Sequence, residues 1–566
     1  MKKLPLFLLI IVNSIFHLAT SQNILISSNN NPNEASIKLN PLQPNIVVAA
    51  ANLNNYYFSN DTGRTWSVNT LSSSYGVWGD PVIDVDTAGN FYYFHLSNPS
   101  SGNWIDRIVC QKSTDNGQTW SNGSFTGLNN TKAQDKHWSV IDRSNNNIYL
   151  TWTEFDAYGS TDINDSSRIL FSKSTDGGNS WTVPLQINKV SGDCIDSDNT
   201  VEGASPAIGP NGEIYVAWTG PAGLVFDRSL DGGATWLQND ILIDAQASDW
   251  DFDVPGIYRS NGLPVLKCDL SGGPNHGTLY VNWSDQRNGT NNTDVFLSKS
   301  TDGGNTWSPA LKVNTDNTDR HQFLTWMDID QSNGYLHFVF YDRRNYSNSQ
   351  TDVFLAHSKD GGQTFKNEIV SESSFTPNAG VFFGDYTNIS VHNNVVRPIW
   401  TRLQGASLSI WTDVSPRDFT NDTIVIHDTV QVVDTTIIID TISTIDTIYI
   451  NDTLTIYDTI TIYDTIYLDT TTNLFNRNVD FGNSYPNPAS NLAYVSYKLH
   501  KESTVSLKLY NLEGKELAVL IDREKKMYGK YIESIPIQDL RLAPGQYFCI
   551  LEIDDTLKTI VLSVIE

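Results

Sequence analysis

The chain has 566 residues, room for three or four domains at roughly 100 to 200 residues each, so a single small domain is excluded. Aromatic residues make up 11% of it, with only 3 methionines and 18% charged residues, a composition that favours pleated, half-buried surfaces over long helices. With 37 basic and 63 acidic side chains the formal charge is −26, which repels a phosphate backbone and argues against nucleic acid as a partner.

The N-terminus places Lys2 and Lys3 ahead of an apolar run from Leu4 to Phe16, with small residues at Ala19, Thr20 and Ser21. This is the pattern of a secretory signal over residues 1–21, cleaved near Ser21. No other run of about 18 apolar residues follows, so no transmembrane helix is expected in the mature chain. Export permits disulfides, but Cys110, Cys194, Cys268 and Cys549 are too scattered for a framework, and Cys194 to Cys268 is the one bridge the spacing leaves open. No Cys/His spacing suggests zinc, and no metal ligand set is assigned.

From residue 22 to 418 an internal repeat dominates. It reads SNDTGRTW from Ser59, STDNGQTW from Ser113, STDGGNSW from Ser174, SLDGGATW from Ser229, STDGGNTW from Ser300 and SKDGGQTF from Ser358. Each copy follows an alternating strand such as DVFLSKS, which makes it a hairpin turn. Its Asp accepts backbone N–H bonds, its Gly supplies a positive φ, and its Trp packs on the adjoining strands. These turns build a scaffold, because a functional site needs one constellation rather than six identical ones. The repeats resemble the Asp boxes, or BNR repeats, of sialidases and other secreted β-propellers. That resemblance implies propeller architecture and leaves activity unassigned.

Strand openings count the blades. EASIKLNP at Glu34, GDPVIDVD at Gly79, KHWSVID at Lys136, GASPAIGP at Gly203, GLPVLKCD at Gly262, FLTWMDID at Phe323 and GDYTNIS at Gly384 give seven inner strands. The last unit supplies only three strands, and NILISS at Asn23 is free to complete it, which would protect the sheet edges. The expected fold class is therefore all-β, a seven-bladed β-propeller. Six blades, the sialidase number, is the alternative.

Residues 419–472 change character. Between Asn421 and Asp469 there is no Lys, Arg, Gly or Pro, and Asp-Thr pairs recur every six residues from Asp422 to Asp464. A strand would keep the Asp side chains on one face, where like charges oppose compaction, so a stiff extended stalk is expected, with a small β-solenoid as the alternative. Residues 473–566 regain a mixed, strand-like pattern expected to form a small β-sandwich. Tyr485-Pro-Asn-Pro, the Tyr510-Asn-Leu-Glu-Gly hairpin and Pro544-Gly-Gln-Tyr resemble the C-terminal sorting domain of type IX secretion cargo in the Bacteroidetes. The resemblance implies the type IX secretion machinery as a partner and a secreted or outer-cell-surface destination.

Function on such a scaffold is expected where inner strands begin and loops converge. Those positions hold Asp80, His137 with Trp138, Glu202, Tyr258 with Arg259, Arg320 with His321, Trp326, and Asp385 with Tyr386. Carboxylates beside aromatic faces suit sugars, and paired carboxylates or an activated Tyr can hydrolyse a glycosidic bond. Tyr386, Asp385, Glu202 and Asp80 are the catalytic candidates. Arg259, Arg320, His321, Trp326, His137 and Trp138 are the ligand-binding candidates. Asp80 and Asp385 also lie in G-D-P and G-D-Y turns that they would cap. The sialidase R-I-P motif is missing, with EASIKLNP in its place, so the family's first arginine has no counterpart. Arg287 and Arg343-Arg344 occupy matching places ahead of Asp294 and Asp352, which suggests structural Arg–Asp pairs between strands. The acidic loops at Asp193, Asp196 and Asp198 and at Asp249, Asp251 and Asp253 are read as solvated loops, with calcium, which needs six to eight oxygens, as the alternative, and neither follows the EF-hand pattern. Two readings remain: a displayed module that binds glycans or surface partners, and an exo-acting, sialidase-like glycosidase.

Overall fold

The computed structural model describes residues 22–246 and 249–417, two short paired segments at 423–424 and 447–448, and most of 479–565. The expected signal segment and almost all of the Asp-Thr tract lie outside the described residues. The chain divides into two compact units, Met1–Asp422 and Thr423–Glu566. Every regular element among the described residues is a strand.

Unit one holds seven four-stranded antiparallel sheets. Six are consecutive meanders whose first strands are Ser36–Leu39, Gly79–Val85, Ala133–Ile141, Glu202–Ile208, Val265–Cys268 and Gln322–Asp330. The seventh starts at Asn388–His392 and is completed out of order. Its outer strand is Asn23–Ser27, antiparallel to Ser407–Asp413 with Asn23 opposite Asp413. Asn23 Nδ2 donates to Asp413 Oδ2 at 3.1 Å and to the Val370 carbonyl at 2.9 Å, which ties this strand to the sixth sheet as well. A four-stranded meander turns at alternate ends. The connections between sheets and between second and third strands therefore share one end, and the six Asp boxes, joining third to fourth strands, share the other.

The boxes have nearly one geometry. In the fifth sheet, Asp302 Oδ1 accepts from Ser300 Oγ at 2.7 Å and from the Thr306 N–H at 3.0 Å, while its Oδ2 accepts from Thr306 Oγ1 at 2.6 Å. The second box glycine faces the preceding sheet. A Cβ on Gly304 (φ +86°) would stand 2.2 Å from Phe226, and one on Gly233 would stand 2.4 Å from Phe171, so these positions exclude a side chain. The sheets bury Trp152, Trp218, Trp283 and Trp400 completely. Cys194 and Cys268 do not pair. Both are buried free thiols in separate apolar clusters, so the bridge that spacing left open is not formed.

The anticipated Arg–Asp pairs exist with other partners. Arg287 binds Asp285 and Asp244, and Arg344 binds Asp342 at 2.6 Å and Asp316 at 3.7 Å. Asp294 and Asp352 instead accept from Asn288 at 2.7 Å and Asn345 at 3.3 Å. Each of these arginines turns back onto the Asp two residues earlier, because its own N–H already donates there, Arg287 at 3.0 Å and Arg344 at 2.7 Å.

In unit two, a sheet of Val479–Tyr485, Leu492–Leu499 and Gly529–Pro536 and a sheet of Glu516–Lys526, Ser503–Tyr510, Gly545–Ile553 and Thr556–Val564 contribute to one apolar core. Alternation explains it: Ala493, Val495, Tyr497 and Leu499 point inward while the residues between them face out.

Candidate functional site

The site is placed by a recurring irregularity at the start of the inner strands. Pairing register slips between Gly79 and Val82, Asp135 and Trp138, Glu202 and Ser205, and Phe323 and Trp326. There Asp80 (φ 51°), Lys136 (φ 47°), Gly203 (φ 70°) and Leu324 (φ 48°) take the left-handed region, as does Glu34 (φ 48°) ahead of the first sheet. A bulge turns the inserted residue out of strand alternation. Three of these residues are ionisable, so the bulges gather charge that alternation would have spread over two faces.

Lys136 is the hub. Its Nζ lies 2.9 Å from Asp385 Oδ2 and 3.4 Å from Asp80 Oδ2. Asp385 also accepts from Arg259 Nε at 2.7 Å and from Arg259 Nη2, while Arg259 Nη1 donates to Asp196 Oδ2 at 3.2 Å. Glu34 Oε1 accepts the Asp385 N–H at 3.2 Å, and its Oε2 accepts from Asn52, whose Oδ1 in turn accepts the Asp80 N–H at 2.6 Å. The carboxylates of Asp80 and Asp385 are thus committed to this cluster through Lys136 and Arg259. Glu34, Asp80, Lys136 and Asp385 are buried, whereas Arg259 keeps 36% of its side chain exposed and forms the solvent side.

The electrostatics follow from burial and pairing. Burial alone would raise the Asp385 carboxyl, but Lys136 and Arg259 outweigh it and hold the group below the usual carboxylate range. Burial, reinforced by Asp80 and Asp385, raises Glu34 well above that range. Glu202 is raised by burial and by Asp196, and Asp135 is pushed up to about 7 by burial, against the pull of Lys136. Burial would lower the Lys136 ammonium, yet Asp385, Asp80 and Asp135 keep it well above its ordinary value.

An aromatic layer belongs to the same inner-strand openings. Ring centroids of Trp138 and Trp326 lie 4.4 Å apart, and Tyr386 lies 5.0 Å from the first and 6.1 Å from the second. Burial, with Asp80 and Glu34 adding to it, raises the Tyr386 phenol well above its ordinary value, so it stays protonated. His137 is buried and its imidazole is lowered by that burial to about 4, which makes it neutral at pH 7.

Of the residues singled out in the sequence, Asp80, Asp385, Tyr386, Arg259, Trp138 and Trp326 come together, and Glu202 feels the charges of Asp196 and Lys136. Arg320 and His321 do not join them. His321 Nδ1 shares a hydrogen bond with Thr293 Oγ1 at 2.9 Å, and Arg320 lines an open recess with Arg344 and Tyr346. Both precede the Leu324 bulge of the sixth sheet. Lys136, Glu34, Asn52 and Asp135 escaped sequence reasoning as site residues. Their signal was positional, since Glu34, Asp80 and Lys136 occupy one place in three consecutive openings.

The two acidic loops meet. The Asp251 N–H donates to Asp198 Oδ1 at 2.8 Å, and burial together with Asp198 and Asp196 pushes Asp251 up to about 6. Asp193 is occupied within its own loop, accepting from Thr200 Oγ1 at 2.9 Å. Among the described residues no group of three or more His, Cys, Asp or Glu is arranged to hold a metal ion.

Residues 483–565 match the family described as the secretion system C-terminal sorting domain. The chain therefore carries an export address, which marks it as a secreted or cell-surface protein and implies contact with the type IX secretion machinery. No curated protein sequence matches it. Among solved structures, similarity is found to a Hadza microbial sialidase, Hz136, at 13% identity over 65% of this chain and 73% of that one, with a TM-score of 0.37. The NanB sialidase from Streptococcus pneumoniae is similar at 11% identity over 65% of this chain and 83% of that one, with a TM-score of 0.40. A PL25 polysaccharide lyase, an ulvan lyase, is similar at 12% identity over 69% and 95% of the two chains, with a TM-score of 0.41. At such scores no residue role passes from these proteins to this chain.

Proposed function

We propose that residues 22–418 form a seven-bladed propeller that serves as a displayed glycan-binding module, with residues 1–21 a cleaved signal, 419–472 a stalk and 473–566 the sorting domain. Seven four-stranded sheets, the last completed by Asn23–Ser27, support the blade number. The observation that carries the function is the state of the two cations at the mouth. Lys136 and Arg259 are both held on carboxylates, and the Tyr386 beside them is protonated. A sialidase needs free cationic clamps for the substrate carboxylate, and neither Lys136 nor Arg259 is free to supply one. An acid-rich mouth suits hydroxyl-rich ligands, whose hydroxyls donate to carboxylate oxygens, while the rings of Trp138, Trp326 and Tyr386 are buried against one another and pack the site rather than offer an open face. The calcium reading of the acidic loops stays a proposal of lower rank, resting on the meeting of Asp198 and Asp251.

One observation favours the second reading, an exo-acting glycosidase. Glu34 is pushed up and Asp385 is pushed down although the two are hydrogen-bonded neighbours, and such divergence is how one site keeps an acid and a base at neutral pH. A glycan array run beside a panel of fluorogenic glycosides separates the two. Binding without turnover supports the module, turnover that Glu34→Gln abolishes supports the enzyme, and silence in both assays removes the glycan reading.

A further inference from the structure

Beside the charged mouth lies an aromatic feature that neither the fold nor the ion pairs require. Trp78 and Trp104 are 38% and 42% exposed, although burying either ring would be favourable. Their planes cross at 89° with centroids 5.6 Å apart, and Trp104 meets Tyr158 at 5.5 Å and 86°. Trp78 directly precedes the Gly79-Asp80 opening, Trp104 lies between the second and third strands of the second sheet, and Tyr158 lies at the same point of the third. All three therefore stand at the same end of the sheets as the mouth. The link is also chemical, since the Tyr158 hydroxyl donates to Asp196 Oδ2 at 2.5 Å, the oxygen that accepts from Arg259.

The exposure of Trp104 is imposed by the backbone. Ile105 is 1% exposed and takes φ 46°, a conformation that β-branched residues avoid. Its N–H donates to the Ser97 carbonyl at 3.0 Å and its carbonyl accepts from Gln134 N–H at 2.7 Å. Asp106 anchors the next position, accepting from Ser97 Oγ at 2.8 Å and from Arg107 at 2.7 and 2.8 Å. The loop is thus strained into burying the isoleucine and presenting the tryptophan, and backbone strain of this kind concentrates at ligand sites.

We infer that the corner between Trp78 and Trp104 is a saccharide subsite for an uncharged pyranose unit, so that the ligand is a neutral chain of several sugars crossing from the mouth onto this corner. The inference rests on the glycan-binding reading above. Two rings at right angles offer one face for the apolar side of a pyranose and one edge to limit its sliding, whereas a flat apolar partner would be met by coplanar rings. Charge fixes the class. Arg107 is held by Asp106, Lys132 by Glu154 and Asp156 at 3.2 and 2.9 Å, Arg168 by the same two carboxylates, and Arg259 by Asp385 and Asp196, so each of these cations already has carboxylate partners and offers no free charge to a uronate or sialate.

The full secreted chain is titrated by calorimetry and tryptophan fluorescence with cellohexaose, laminarihexaose and mannohexaose, and with hexagalacturonate and sialyllactose as acidic probes. At least one neutral hexasaccharide should bind and the acidic probes should not. Trp104→Ala and Trp78→Ala should each weaken that binding about tenfold or more, with Trp104→Phe recovering most of it and the thermal midpoint little changed. Neutral binding that both alanine variants leave intact while Asp385→Asn abolishes it would overturn the corner and spare the glycan reading. Binding of the acidic probes alone would overturn the neutral class. No binding by any probe would overturn the inference together with the reading beneath it.

Discussion

Lys136 is a buried cation between two carboxylates, and its removal should be felt more strongly than that of any surface charge. Truncating one member of a buried ion pair strands the others, at a cost of about 3–5 kcal/mol. Lys136→Met should therefore destabilise unit one by that amount in urea unfolding, and adding Asp385→Asn should recover part of the loss. Asp135 contributes to the pH dependence in the same direction as the raised carboxyls of Glu34, Glu202 and Asp251. Its carboxyl is pushed up to about 7 in the folded chain, so the folded state binds this proton more tightly than the unfolded state does. Its contribution is fully present below the ordinary value of 3.8 and is lost as pH rises toward 7. Asp135→Asn should remove its share of that decline, seen as unfolding midpoints that fall less steeply between pH 4 and pH 7 than those of the parent. Tyr386→Phe should change glycan affinity by no more than about 1 kcal/mol, because it keeps the ring and removes only the hydroxyl, and a collapse of turnover instead would establish the enzyme. At this scale the sequence was half legible. Asp80, Asp385 and Tyr386 could be named from their place at strand openings. Lys136 and Glu34 were read as parts of KHWSVID and EASIKLNP, because a bulge that re-aims a side chain leaves no mark on apolar alternation.

Among the elements, the Asp box was the most legible, since six copies of one spacing repeat one set of turn hydrogen bonds. Asp302→Ala removes bonds to Ser300 and Thr306 at an exposed turn and should lower stability by about 1 kcal/mol while leaving ligand affinity unchanged. Thermal stability equal to that of the parent with binding lost would show that the box belongs to the site. Gly304→Ala should cost more, about 2–3 kcal/mol, because the added methyl meets Phe226 of the neighbouring sheet and φ is positive. That contact between sheets was not readable from the motif, whose glycines carry no record of what lies opposite. Arg287 and Arg344 show the same limit. Their equivalence was evident from the repeat, but the choice of Asp285 and Asp342 over Asp294 and Asp352 depends on how the chain turns after the strand.

For the molecule as a whole, the division of labour lies in sequence composition: an aromatic, box-bearing unit, an acidic periodic tract and an address. Deleting residues 474–566 should leave unit one in the periplasm with its signal processed, checked by fractionation and immunoblot, and normal surface display of the truncated chain would refute the assignment. Among the described residues no helix is long and apolar enough to cross a membrane. The order of the sheets and the partner of NILISS could be anticipated because a three-stranded last unit needs a fourth strand. The convergence of Asp196, Arg259 and Asp385 could not, since it joins loops separated by 63 and 126 residues.

The pairing of Asn23–Ser27 with Ser407–Asp413 also sets a timetable. Of the two paired strands, the earlier is made nearly four hundred residues before its neighbour, so synthesis and completion run in opposite order. Until then the chain carries an unpaired strand edge at each end of the unit, and a contact of such sequence separation forms late in folding. The seam joins both termini of the unit, and a pull on the N-terminus loads that single row of hydrogen bonds first. Chains ended at residue 406 should stay sensitive to protease however long they are incubated, and rapid protection of such chains would show that the seam is an ornament rather than the clasp.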